Sequence, residues 1–220
     1  MSFRSGTKSG IEGKIGKVML KKMKIDGRSP LRKCLDRELD QLYLKGLTLD
    51  VGSKKPRYAH LCEKLVALDI HGFEGVNVLA DAHNLPFKNN SFDNIIMISL
   101  LEHVQEPHRV IKEAWRVLKN NGTIVIHVPF MYPIHGDPND YYRFTDEGLR
   151  YLLRDFYILK LTKTGGFFTL IARYIHFLLT VLKIKFLLPI LNIFIFFDDK
   201  FPGIFKRTAC GFFVVARKKS

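Results

Sequence analysis

Several features that define other protein classes are missing from this sequence. It has three cysteines in 220 residues, Cys34, Cys62 and Cys210, which are far apart and show no paired spacing. This excludes a disulfide framework and a thiolate metal site, and it favours a reducing compartment. The longest uncharged run in its most apolar segment, residues 186–197, has twelve residues. A helix that crosses a bilayer needs about twenty apolar residues, so no spanning helix is predicted.

Acidic residues are also scarce relative to basic ones. Lys and Arg number 35 against 21 Asp and Glu, which gives a net charge of +14 and a pI near 9.7. This charge points to nucleic acid or an anionic membrane as a partner rather than to a fold. Half of the excess lies in residues 1–46, where lysines interrupt the apolar residues between Ile15 and Met23. The sequence therefore shows no hydrophobic region of a signal peptide, and we expect a cytoplasmic protein.

Three segments of different character divide the chain. Residues 1–46 are basic, and they predict a loose arm followed by a helix from Pro30 to Leu44. In residues 47–166 and 208–220, short apolar runs alternate with segments that have a helical pattern. This alternation predicts that the two ranges together form one domain of β-strands and α-helices. Residues 167–207 predict an apolar helical insertion before the last strand, either an interfacial helix or a helical hairpin.

The alternation predicts an α/β fold that is Rossmann-like and doubly wound, with a mostly parallel seven-stranded sheet. The predicted strands cover residues 47–51, 65–69, 76–80, 94–99, 122–129, 156–161 and 211–217. Before the fifth strand, the clearest predicted helix has one apolar side, formed by Val110, Ala114, Val117 and Leu118. Ligands of open parallel sheets bind beyond the carboxyl ends of the strands, so the residues there are candidates for a site.

Four strand ends carry residues that suit a nucleoside ligand. Gly52 permits a sharp turn, but the further glycines of a dinucleotide-binding loop are missing, which disfavours NAD. Asp69 stands where an acid can accept hydrogen bonds from two ribose hydroxyls. Asp81, followed by Ala82, is placed to accept from an adenine amine or, alternatively, to cap a turn. Ser99 ends the fourth strand.

The middle of the chain contains four motifs in order, LDVGS, LDI, DAHNLPFKNNSFDNIIMISLLEHV and LKNNGTIVIHVP. Together they closely resemble class I S-adenosylmethionine-dependent methyltransferases of the type 11 family. The resemblance implies S-adenosylmethionine as the cofactor. It places Asp50 and Gly52 at the methionine part, Asp69 at the ribose, Asp81 and Ala82 at the adenine, and Ser99 beside the sulfonium. The sequence has Lys54 where family members usually have a second glycine.

The densest polar and aromatic cluster of the sequence follows the fifth strand, in residues 133–145. Methyl transfer to a hydroxyl needs alignment of the acceptor and removal of one proton. We expect His135 to be the general base, with Asp140 as the second candidate. Three residues are candidates for binding a sugar ring or a phosphate: Tyr141, Tyr142 and Arg143. Thr145 is also placed to cap the helix that follows.

This loop resembles a subgroup of these enzymes that is associated with surface polysaccharide or lipid-linked sugar pathways. Other histidines are less informative. His103 and His108 are five residues apart, which would put them on different faces of a helix, so no metal ion is predicted. We expect His103 to shape the cofactor pocket and His127 to be a buried wall residue.

The sequence thus predicts a methyltransferase that acts on a small-molecule, sugar or lipid-linked acceptor by in-line transfer. Its basic arm and apolar insertion are two weak signals for attachment to the anionic inner membrane surface. The insertion would equally suit a lid or the interface of a homodimer. An RNA methyltransferase ranks lower, because the sequence shows no recognisable RNA-binding module. A non-catalytic, membrane-associated scaffold on the same fold is the remaining alternative.

Overall fold

The computed structural model describes residues 29–136, 138–201 and 207–219, so most of the predicted basic arm lies outside the described residues. In these ranges one sheet contains seven strands, in the order β3-β2-β1-β4-β5-β7-β6. The strands are β1 (Leu44–Val51), β2 (Cys62–Asp69), β3 (Val78–Leu79), β4 (Phe92–Ile98), β5 (Leu118–Pro129), β6 (Phe156–Thr164) and β7 (Gly211–Lys218). Strands β1 to β5 pair in parallel, and β7 is antiparallel to both of its neighbours. The predicted fold class is confirmed.

Helices cover both faces of this sheet. They are α1 (Pro30–Leu39), α2 (Pro107–Val117), α3 (Asp146–Leu152), α4 (Phe167–Val181) and α5 (Ile193–Lys200), and a 3-10 helix (Lys185–Asn192) joins the last two. Helix α2 contacts α3, whereas α1 packs with α4 and α5.

Successive side chains of a strand point to opposite faces, which explains how a nearly continuous apolar run can be buried. Ile95 and Met97 of β4 pack in the cluster that contains α2 and α3. Ile96, between them, packs with Leu35 and Leu39 of α1 on the other face. The predicted apolar side of α2 is confirmed for Val110, Ala114 and Val117, which are fully buried. Leu118 was wrongly placed on this helix, because it is the first residue of β5.

Two other local predictions were wrong. Helix α1 ends at Leu39 rather than Leu44, because Leu44 already pairs with Cys62 in the sheet. The segment boundary expected at residue 46 therefore falls inside β1. Among the first four strands the connections are loops instead of helices, apart from one 3-10 turn (Ala59–Leu61). In the β3–β4 connection, Arg116 of α2 holds the backbone in place by donating to the carbonyls of Leu85 and Phe87.

The apolar insertion between β6 and β7 consists of α4, the 3-10 helix and α5. Asp198 of α5 accepts hydrogen bonds from the backbone N–H groups of Gly166, Phe168 and Thr169 at the start of α4. Large apolar side chains remain exposed on this insertion, among them Phe177 and Phe186. In the described part of the chain, no helix combines the length and the apolar character needed to cross a bilayer.

Candidate active site

A cavity of about 460 Å³ lies at the carboxyl ends of β1, β2 and β4. Strand β1 lies between the other two, so the cavity occupies the point where the strand order reverses and where ligands of such sheets bind. Its volume falls in the range of small-molecule sites, roughly 300–1,000 Å³. Eight of the predicted site residues line it: Asp50, Gly52, Asp69, Asp81, Ala82, Ser99, His135 and Tyr141.

The end of β1 combines a buried acid with a tight turn. Burial raises the pKa of Asp50 to about 6, although the Ser53 hydroxyl donates a hydrogen bond of 2.8 Å to its carboxylate. Gly52 has a φ of +75°, and a Cβ at this position would lie 2.8 Å from Cδ1 of Leu100. Glycine is favoured here by the backbone conformation, and a side chain at this position would also displace the end of Leu100.

Asp69 joins the loop after β1 to the loop after β2. Its two carboxylate oxygens accept hydrogen bonds of 2.9 Å from the backbone N–H groups of Lys54 and His71. Lys54 has a φ of +44°, in the left-handed region that glycine adopts most easily. The loop therefore keeps a glycine-like conformation although the residue is lysine.

Asp81 forms a turn with His83, which donates its backbone N–H to Oδ1 at 2.9 Å and places its ring Nδ1 2.6 Å from the same oxygen. Partial burial acts to raise the pKa of Asp81, but these contacts outweigh it and lower the pKa. The carboxylate remains 54% exposed beside the buried Ala82. The position of Asp81 is thus compatible both with capping of this turn and with contact to a ligand in the cavity.

Ser99 directly follows β4 with a φ of +55°, and its hydroxyl lies 3.3 Å from Nδ1 of His127. The other ring nitrogen of His127 lies 3.0 Å from the Thr164 hydroxyl. Burial lowers the pKa of His127 to about 3, so its imidazole is neutral at neutral pH. His127 is a buried residue behind the cavity, where it fixes Ser99.

His135 and His103 meet on the opposite side of the cavity, with ring centroids 5.0 Å apart in an edge-on arrangement. His135 donates its backbone N–H to Asp140 at 2.8 Å, and its Nδ1 lies 3.3 Å from the carbonyl of Pro133. Nδ1 of His103 lies 2.5 Å from the carbonyl of Asn139. Burial lowers the pKa of His135.

Asp140 has a different role from the one predicted. It does not line the cavity, and its carboxylate is held by both terminal nitrogens of Arg143. Because of this ion pair the pKa of Asp140 is well below its usual range. A carboxylate so strongly acidic is a poor base, and its contact with His135 makes it a positioning group.

Of the three residues predicted to bind the acceptor, two have other contacts in the structure. Arg143 donates to Asp140 and to the carbonyls of Tyr132 and Pro133, so its guanidinium is used inside the loop. Tyr142 donates its hydroxyl to the carbonyl of Gln105 and does not line the cavity. Of the three candidates only Tyr141 reaches the cavity.

Glu102 was missed in the sequence. Its side chain is fully buried, and neither carboxyl oxygen has a hydrogen-bond partner among the described residues. Burial raises the pKa of Glu102 to about 8. Oε1 lies 3.8 Å from Nε2 of His103. The only sequence signal was an acid directly before that histidine.

Comparisons with known proteins agree with this geometry. Residues 49–126 match the model of a family described as a methyltransferase domain. The ubiquinone/menaquinone biosynthesis C-methyltransferase UbiE of Rickettsia prowazekii is 33% identical over 82 residues, which cover 37% of this chain and 33% of that protein. The chain spans less than half the length of the first curated relatives that it matches.

Two solved structures share the fold across most of the chain. The [4+2]-cyclase SpnF has a TM-score of 0.58 at 21% identity, with 88% of this chain and 84% of that chain covered. The 1,6-didemethyltoxoflavin-N1-methyltransferase of Burkholderia thailandensis, solved with 1,6-didemethyltoxoflavin and S-adenosylhomocysteine, has a TM-score of 0.55 at 13% identity, with 100% and 94% covered. Residues 49–126 of this chain therefore resemble a methyltransferase domain in sequence, and the described part of the chain shares the fold of these solved structures.

Proposed function

We propose that this chain is an S-adenosylmethionine-dependent methyltransferase that acts on a small-molecule acceptor. One observation carries the proposal: a single cavity joins the acidic strand ends expected to bind the cofactor to a wall of His103, His135 and Tyr141. The first part suits a cationic nucleoside, and the second suits a polar acceptor. The SpnF cyclase shows that the fold alone does not determine the reaction, so the proposal rests on the residues of the cavity.

The cofactor would lie along the ends of β1, β2 and β4. Each oxygen of Asp69 accepts one backbone N–H and retains a lone pair for a ribose hydroxyl. The buried Asp50 faces the position expected for the methionine part, where a positive charge would favour its ionised form. Gly52 lets the ligand approach the backbone closely.

Methyl transfer would proceed in line, with the acceptor oxygen attacking the methyl carbon while the carbon–sulfur bond breaks. The electron pair of that bond stays on sulfur, and the hydroxyl proton must leave. The hydrogen bonds of His135 use its backbone N–H and Nδ1, which leaves Nε2 as the proton acceptor. Asp140 and Arg143 hold the loop that presents this ring.

For the acceptor, we propose a sugar or lipid-linked hydroxyl compound, on the basis of the sequence resemblance of residues 133–145. The named relative belongs to quinone biosynthesis, and the structural neighbour binds a toxoflavin precursor, which supports a small-molecule acceptor in general. Tyr141 offers an aromatic ring at the cavity wall, and its hydroxyl accepts a hydrogen bond of 3.0 Å from Gln105.

We further propose that the insertion attaches the protein to an anionic membrane surface. Exposed apolar side chains lie along it, including Phe177, Leu178 and Phe186, of which the last is 79% exposed. Lys183 and Lys200 are exposed on the same segment. Apolar residues together with nearby basic side chains are typical of interfacial binding.

Calorimetric titration with S-adenosylmethionine and S-adenosylhomocysteine tests the cofactor site. We expect binding in the micromolar range, and we expect Asp69→Ala to lose it. Asp155→Ala is the matched control, because Asp155 is exposed at the start of β6, outside the cavity. If the folded wild type binds neither ligand, the scaffold alternative replaces the enzyme.

Flotation with phosphatidylglycerol vesicles tests the membrane surface. We expect the wild type to float and a Phe177→Asp/Phe186→Asp double variant to remain in the dense fraction. Tyr157→Asp, an exposed aromatic position on the edge strand β6, should float like the wild type. Absence of flotation together with a dimer in size-exclusion chromatography, dissociated by the double variant, would assign the insertion to a homodimer interface.

A further inference from the structure

We propose that Glu102, His103 and His135 form a binding site for a first-row divalent metal ion of the Mn²⁺, Fe²⁺, Co²⁺ or Zn²⁺ type. One ligand atom from each of the three side chains lies within 4.8 Å of the other two. The two histidines line the cavity, whereas Glu102 lies behind them in the protein interior. The role of the ion in methyl transfer rests on the proposed function, but its binding does not.

The first argument is the condition of Glu102. A carboxyl group that is fully buried and lacks hydrogen-bond partners costs several kcal/mol of desolvation in its charged form. Oε1 of this group lies 3.8 Å from Nε2 of His103, too far for a hydrogen bond. A metal ion at this position would satisfy the carboxylate with both charge and coordination.

The second argument is the orientation of the histidine rings. A metal-bound histidine usually donates its other ring N–H to a carbonyl or a carboxylate, which fixes the ring and its tautomer. Nδ1 of His103 lies 2.5 Å from the carbonyl of Asn139, and Nδ1 of His135 lies 3.3 Å from the carbonyl of Pro133. In each ring Nε2 is therefore the nitrogen available to an ion.

Asp140 holds His135 in place at this site. It accepts the backbone N–H of His135, and one of its oxygens lies 3.4 Å from Nδ1 of the same residue. Ligand atoms around a tetrahedral ion lie about 3.3 Å apart, so small side-chain rotations would bring the three groups into coordination. Two imidazoles and one carboxylate favour transition metals over Mg²⁺ or Ca²⁺, which prefer oxygen ligands.

Three protein ligands would leave at least one coordination position open, and an acceptor could reach it from the cavity that His103 and His135 line. An acceptor hydroxyl bound there would have a lowered pKa, as metal-bound water does. Its proton would pass to solvent, the oxygen would form the new bond to the methyl carbon, and the carbon–sulfur bond would break with its electron pair staying on sulfur. With the metal bound, Nε2 of His135 would be a ligand, and the ion would take its place in promoting loss of the proton.

Metal binding can be measured without any acceptor. Chelator-treated full-length protein is titrated with Co²⁺, Mn²⁺, Zn²⁺ and Mg²⁺ by calorimetry, and Co²⁺ binding is also followed by its visible absorption. We expect one site per chain, and the variants Glu102→Gln, His103→Ala and His135→Ala should each weaken binding by about 100-fold or more. His108→Ala is the control, because His108 contacts Tyr151 and does not line the cavity.

S-adenosylhomocysteine binding provides a separate measure of folding and of the proposed function. The metal site is overturned if the wild type binds none of the transition metals stoichiometrically, or if variants that still bind S-adenosylhomocysteine retain wild-type metal affinity. Tighter binding of Mg²⁺ than of Zn²⁺ would also contradict the proposed type of ion. Metal binding in a protein that fails to bind S-adenosylhomocysteine would support the site and reject the methyltransferase function.

Discussion

At the residue scale, Asp50 shows how a functional group is retained at a cost in stability. Its carboxyl is 2% exposed, and burial raises its pKa from 3.8 to about 6. A carboxyl whose pKa is higher in the folded state binds its proton more tightly there. The folded state is therefore disfavoured progressively as the pH rises from about 4 through about 6, and the effect is complete above that range.

We expect Asp50→Asn to increase the free energy of unfolding by about 3 kcal/mol at pH 8 and to leave it nearly unchanged at pH 4. Asparagine keeps an oxygen that can accept the Ser53 hydroxyl but carries no charge. Urea unfolding at both pH values measures the difference. The same variant should bind S-adenosylmethionine more weakly, since the expected ionic contact is lost. An equal gain in stability at pH 4 would reject burial of the charge as the cause.

The candidate site was only partly predictable from single residues. The acids Asp50, Asp69 and Asp81 follow strands, and the ends of parallel strands meet at one edge, so their place at the cavity follows from the pattern. The sequence does not encode in any local pattern that Arg143 would neutralise Asp140. Glu102 was missed because its burial depends on packing from distant segments.

The proposed metal site shows the same limit. Spacing in the sequence can identify a pair of metal ligands only where both lie on one helix. His103 and His108 do not form such a pair. The structure shows that residues 101–106 are not helical and that the histidine whose ring meets His103 lies 32 residues further on, at His135. Ligands brought together by two strand-end loops have no fixed spacing in the sequence.

At the element scale, Asp198 determines how the apolar insertion is held together. Its carboxylate accepts three backbone hydrogen bonds, of 2.8 to 3.0 Å, at the start of α4. These N–H groups have no partner within the helix, and the helix dipole adds a favourable interaction with a negative charge. The side chain of Asp198 in α5 thus caps the N-terminus of α4. This contact joins the first and the last helix of the insertion.

We expect Asp198→Ala to lower the free energy of unfolding by about 1–2 kcal/mol and to increase amide exchange at residues 166–169. The adjacent Asp199→Ala is the matched control. Asp199 forms an exposed ion pair of 2.7 Å with Arg37, which is worth about 0–1 kcal/mol. Equal effects of the two substitutions would contradict the capping role of Asp198.

Strands were predicted more accurately than helices in this chain. Each predicted strand exists, because short apolar runs bounded by polar turns have few alternatives in a buried sheet. The helices expected between the first strands do not form, since those connections are short and contain Pro56 and Pro86. Helix α1 is shorter than predicted because tertiary pairing of Leu44 overrides local helix preference.

At the scale of the whole molecule, the cavity connects parts of the chain that are distant in sequence. Its wall includes Arg32 of α1, the ends of β1, β2 and β4, and the loop that contains His135. A ligand bound there would contact α1, the strand ends of the sheet and the loop after β5 together. Its binding free energy should therefore stabilise the domain as a unit rather than a single loop.

We expect S-adenosylhomocysteine at about 100 times its dissociation constant to stabilise the folded state by about 2.7 kcal/mol, because it binds the folded state alone. For a chain of this size, the melting temperature should rise by about 5–10 °C. Gly52→Ala should abolish most of this shift, since a φ of +75° is strained for alanine and the added Cβ would lie 2.8 Å from Cδ1 of Leu100, which would have to move. Gly72→Ala, where the added Cβ would meet only ordinary contacts of 3.8 Å, should keep the full shift. Differential scanning calorimetry compares the three proteins, and an undiminished shift in Gly52→Ala would show that the ligand does not bind against the β1 turn.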